Sequence, residues 1–107
     1  MIYLIYGLDN FLIQKNINKI IDHFNIDKIN INRLDLENDS IKNIIEDAET
    51  ISLFSDKKLL IVDNAYIFTG ISKINITDEE QEILLKYIAD PNPNTILILN
   101  VNNENLD

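Results

Sequence analysis

The sequence predicts an α/β fold, a parallel sheet flanked by helices, and two observations carry that prediction. Apolar runs of strand length at residues 2–6, 29–36, 58–62 and 95–101 alternate with segments of helical periodicity. In such a series, right-handed crossovers return each helix to a face of the sheet. The first run is continuous rather than alternating, the pattern of a strand covered on both faces, and the third is apolar enough to be central.

The elements follow in order. Residues 2–6 are β-branched and aromatic and end at Gly7. After a short turn, Ile13, Ile17, Ile20, Ile21 and Phe24 recur at spacings of three and four, which lines one face of a helix. Asp9 or Asn10 is placed to cap that helix. Residues 29–36 alternate apolar and polar side chains as a second strand. Ser40 then caps a helix whose inward face is Ile41, Ile44, Ile45 and Ala48. Residues 58–62 form the third strand, and residues 65–76, with Gly70 and mixed polarity, read as irregular. Thr77 and Glu80 have the spacing of a capping box, opening a helix that turns Ile83, Leu84, Tyr87 and Ile88 inward. Pro91 and Pro93 stop it, and residues 95–101 are the fourth strand.

With 107 residues, 46% of them hydrophobic, the chain holds one core, and residues 1–107 read as a single domain. That domain has the look of the first part of a longer protein, because the last strand runs almost to residue 107 and four strands leave one helix face thinly covered. No apolar run is long enough to cross a bilayer, and the N-terminus lacks the flanks of a signal peptide, so the expectation is a cytoplasmic protein without membrane contact. The absence of cysteine removes disulfides, thiolate metal sites and cysteine nucleophiles. A net charge of −9 repels phosphate backbones, so direct DNA binding by this domain is not expected.

Residues 7–12 contain one glycine, an aspartate and no Gly-Lys-Ser or Gly-Lys-Thr sequence, so the turn lacks the groups that cradle phosphates and hold magnesium. ATP hydrolysis is not expected there, and no cofactor is implied elsewhere. Asp63 closes the third strand where a magnesium-binding acid could stand, but Asn64 follows instead of a glutamate base; a strand terminator is the simpler reading. The alternative is a receiver-like phosphoacceptor centred on Asp63, which would also need paired acids after the first strand and a lysine after a fifth. His23 has neither a second histidine nor a cysteine to share a metal, and reads as a surface residue near a helix C-terminus. The acid pairs Asp78–Glu79 and Glu46–Asp47 read as solvated helix faces, and nothing looks catalytic.

One stretch does not fit a polar connection. Ile51, Leu53 and Phe54, set among Ser52, Ser55 and Asp56, lie between the second helix and the third strand. Pattern alone allows them to join the core, as large apolar residues usually do, or to face water as a docking surface.

The opening Tyr3-Leu4-Ile5-Tyr6-Gly7-Leu8-Asp9-Asn10-Phe11-Leu12-Ile13 and the later Ile51-Ser52-Leu53-Phe54-Ser55-Asp56-Lys57-Lys58-Leu59-Leu60-Ile61-Val62-Asp63-Asn64-Ala65 together resemble the delta subunit of the bacterial DNA polymerase III clamp loader. The chain departs from that family at Leu8, where an acid is more frequent, and at Asp63, which is variable and often basic. The resemblance implies a degenerate P-loop NTPase or AAA+-like N-terminal domain without ATPase activity, a subunit of a DNA-directed DNA polymerase holoenzyme. It also implies a hydrophobic wedge that binds the sliding clamp (the beta subunit) and helps open the ring, carried over onto Leu53 and Phe54 with Ile51 in support. The implied partners are that clamp and the other clamp-loader subunits.

Overall fold

All four strands and all three helices expected from the sequence are present in the computed structural model, which describes residues 1–7, 9–50, 57–65 and 77–102. Strand β1 (Ile2–Gly7) is followed by helix α1 (Asn10–Phe24), strand β2 (Ile31–Asp35), helix α2 (Ile41–Glu49), strand β3 (Lys58–Asp63), helix α3 (Asp78–Ala89) and strand β4 (Thr95–Asn102). The strands form one parallel sheet in the order β1-β4-β3-β2, with Ile2 opposite Leu97, Leu59 opposite Ile96 and Ile31 opposite Leu59.

Side-chain alternation divides the core into two layers. On one face α1 lays Ile13 and Ile17 against Leu59, Ile61, Ile96 and Ile98. On the other, α2 and α3 cover Leu60, Val62, Leu97 and Leu99 with Ile41, Ile44, Ile45, Ala48 and Tyr87. The inner strands carry apolar runs, residues 59–62 of β3 and 96–99 of β4, because both of their faces are covered.

Local chemistry sets the helix ends as expected. The Asp9 carboxylate accepts from Phe11 N at 2.9 Å, Ser40 Oγ accepts from Asn43 N at 3.1 Å, and Thr77 and Glu80 complete a reciprocal capping box. Asn25 closes α1 in the left-handed region at φ 55°, a conformation that asparagine tolerates.

Four expectations are corrected. β1 is an outer strand rather than one covered on both faces, and Leu4 is 46% exposed. The second strand starts at Ile31, because residues 28–30 make a 3-10 turn that leaves Ile29 81% exposed. Ile88 is 43% exposed, since Tyr87 takes the buried position one residue earlier. Asp47 does not simply face solvent but binds Lys58 and Asn32. Most of the stretch read as irregular, residues 66–76, lies outside the described residues, as does Leu8.

Candidate functional site

Residues 51–56, with Ile51, Leu53 and Phe54 among them, lie outside the described residues, but both of their flanks are described and anchored. A helix ends with unpaired carbonyls that need donors. At the end of α2 these donors come from the helix's own C-cap residue and from other parts of the fold. Thr50 Oγ1 donates to Glu46 O at 2.8 Å, and Thr95 Oγ1 donates to Ala48 O at 2.8 Å. Lys58, the first residue of β3, donates from Nζ to the Asp47 carbonyl and to Asp47 Oδ1, the latter at 2.6 Å. Asn32 on β2 donates to the other Asp47 oxygen at 2.5 Å. The ammonium of Lys58 also meets the negative end of the α2 dipole. Residues 50 and 58 are therefore fixed to the same end of the sheet, the end where β3 and β4 begin. Lys57 is exposed, with its ammonium 5.8 Å from the centre of the Phe24 ring, and His23 meets that ring edge-on at 4.8 Å.

The opposite end of the sheet carries a polar cleft of about 250 Å³ lined by Asn10, Arg33, Asp35, Asp63, Asn64 and Asn100. Arg33 grips Asp63 with two hydrogen bonds, Nε to Oδ2 at 2.6 Å and Nη2 to Oδ1 at 2.9 Å, and Asn100 Nδ2 adds a third at 2.9 Å. Burial by itself would raise the Asp63 pKa; the hydrogen bonds from Arg33 and Asn100 and the charge of Arg33 outweigh it and hold the carboxyl below its ordinary value. The hydrogen bond that Arg33 donates to Asp63 chiefly raises the Arg33 pKa, against a smaller effect of burial. Asn64 turns the chain in the left-handed region at φ 57° and donates to Asp35 Oδ1 at 2.8 Å.

This arrangement gives no support to Asp63 as a phosphoacceptor, since both of its oxygens are engaged by Arg33 and Asn100. The Asp9 carboxylate already accepts from the Phe11 amide in the first turn of α1, the end of a helix at which a phosphate would bind. His23 is exposed in the last turn of α1, and no group of three or more potential metal ligands occurs among the described residues. No described helix is long and apolar enough to cross a membrane. Arg33 and Asn100 are absent from the sequence reading of this cleft. The signal for Asn100 was a single amide inside the apolar run of residues 96–101.

Comparison with known proteins is consistent from sequence to fold. A family model described as DNA polymerase III, delta subunit, matches residues 3–107. The DNA polymerase III subunit delta of Bacillus subtilis is 33% identical over 110 residues, a match covering 99% of this chain and 31% of that protein. The solved structure of a Bacillus subtilis DNA clamp loader delta protein superposes with a TM-score of 0.80 at 32% identity, covering 99% of this chain and 32% of the solved one. The chain thus spans about a third of the length of these relatives.

Proposed function

The chain belongs to the family of DNA polymerase III delta subunits, and we propose that it is the clamp-binding, AAA+-like domain of a clamp loader, inserting Leu53 and Phe54 into the sliding clamp with Ile51 behind them. The observation that carries this reading is that the family match spans residues 3–107 and so takes in residues 51–56, whose two flanks are pinned by Lys58, Asp47, Ala48 and Thr95. A segment launched from fixed ends loses less conformational freedom on docking than one on a loose tether. Burying Leu53 and Phe54 in an apolar pocket contributes about 1.5–3 kcal/mol each. Central anchors of this kind commonly dominate an interface.

Ring opening needs no chemistry in this domain. If the open clamp binds the wedge more tightly than the closed one, the difference in affinity shifts the ring towards opening. A first turn without phosphate-binding groups, already capped by Asp9, supports a degenerate nucleotide site without hydrolysis. The domain then contributes to a DNA-directed DNA polymerase holoenzyme by assembly rather than catalysis, acting in the cytoplasm beside the other clamp-loader subunits. It does not grip DNA itself, in keeping with its charge of −9.

The test is the double substitution Leu53→Ala/Phe54→Ala. It is expected to abolish measurable clamp binding while leaving the circular dichroism spectrum and the melting temperature nearly unchanged. A double variant that unfolds would assign the pair to the core instead.

A further inference from the structure

We infer that the surface this domain presents to the sliding clamp extends past residues 51–56 to Ile29, which docks on the same clamp face beside the wedge; the inference rests on the clamp reading and adds a contact to it. Ile29 is 81% exposed, the highest value of any large hydrophobic residue among those described. The backbone fixes that exposure. Asn30 N donates to Asp27 O at 2.9 Å and Ile31 N donates to Lys28 O, closing the 3-10 turn Lys28–Asn30 ahead of β2. A β-branched side chain on a closed turn has a stiff χ1 as well, so little freedom is lost when it docks.

Register sets Ile29 beside the point where residues 51–56 rejoin the sheet. Ile31 of β2 stands opposite Leu59 of β3, so residues 29 and 57 each lie two residues ahead of a paired position, at the end where both strands begin. Lys57 is exposed there with its ammonium 5.8 Å from the centre of the half-buried Phe24 ring. The end of α1, the 3-10 turn and the start of β3 thus meet around one rim. Phe11 and Leu12, the exposed apolar residues that open α1, lie at the opposite end beside Asn10 and the polar cleft. Area names the occupant. A specific interface takes about 800 Å² from each partner, and two anchors such as Leu53 and Phe54 supply roughly half of it. The rest has to come from the ground around them, and contacts that exclude water from central anchors are the usual form it takes. Ile29 is the preformed apolar contact on that ground.

The chain contains no cysteine, so a single introduced thiol reports its own surroundings. Ile29→Cys is expected to react with a maleimide about tenfold more slowly when the clamp is present at saturation, and Phe11→Cys at the same rate with and without it. Ile29→Ser is expected to weaken binding of a labelled clamp about tenfold at an unchanged melting temperature, with Ile29→Met close to native affinity. Clamp binding that Leu53→Ala/Phe54→Ala abolishes, but that leaves Ile29→Cys fully reactive and Ile29→Ser at native affinity, would overturn the inference and leave the wedge standing. A melting temperature lowered by Ile29→Ser would overturn it too, by making Ile29 a residue of the fold. Binding indifferent to Leu53→Ala/Phe54→Ala would remove the wedge and the inference together.

Discussion

Asp63 accepts three side-chain hydrogen bonds, and its ionisation is therefore tied to stability. Its pKa is lowered on folding, so the stabilisation is fully present above the ordinary carboxylate value of about 4 and is lost as pH falls through the lowered folded value. Arg33 is 46% exposed in its side chain, so solvent screens the pair and its worth is that of a surface ion pair, on the order of 1 kcal/mol. Asp63→Asn should cost about that much at neutral pH and flatten the acid limb of the pH–stability profile, as measured by urea unfolding between about pH 2 and 7. An acid limb as steep as that of the native chain would show that other carboxylates carry it. Asp63 was legible in the sequence as the residue that ends an apolar strand. Its partners were not, because nothing in the order of residues makes 33, 63 and 100 neighbours until the strand order is known.

Among the elements, boundaries with their own chemistry were legible and those set by packing were not. The capping residues Asp9, Ser40 and Thr77 announce their helices through side-chain acceptors that can be read locally. Thr77→Ala should destabilise by about 1 kcal/mol in denaturant unfolding, with Thr77→Ser close to neutral. The 3-10 turn at Lys28–Asn30 was hidden because Ile29 continues the apolar alternation of β2 while standing exposed. The end of α2 makes a different prediction. Lys58 is 14% exposed in its side chain and holds Asp47 through both backbone and carboxylate, so Lys58→Met should cost about 1–3 kcal/mol in stability. Under the clamp reading the same change should also weaken clamp binding, because it frees one end of the wedge segment; titration of a labelled clamp reads that loss. Unchanged affinity would mean that the anchor serves the fold alone.

For the whole molecule, composition and periodicity sufficed for four parallel strands and three helices but not for their order in space. β1 reads like an inner strand and stands at an edge of the described sheet. The proposed wedge rests on resemblance alone, since large apolar side chains in a connection serve a core as well as a partner. Family membership supplies the context for the proposal that Leu53 and Phe54 face outward. The most direct measurement is the affinity of this chain for the sliding clamp with and without those two side chains, taken alongside its melting temperature. The account predicts binding by the native chain and none by Leu53→Ala/Phe54→Ala at an unchanged melting temperature; equal binding by both, or collapse of the variant's fold, would contradict it.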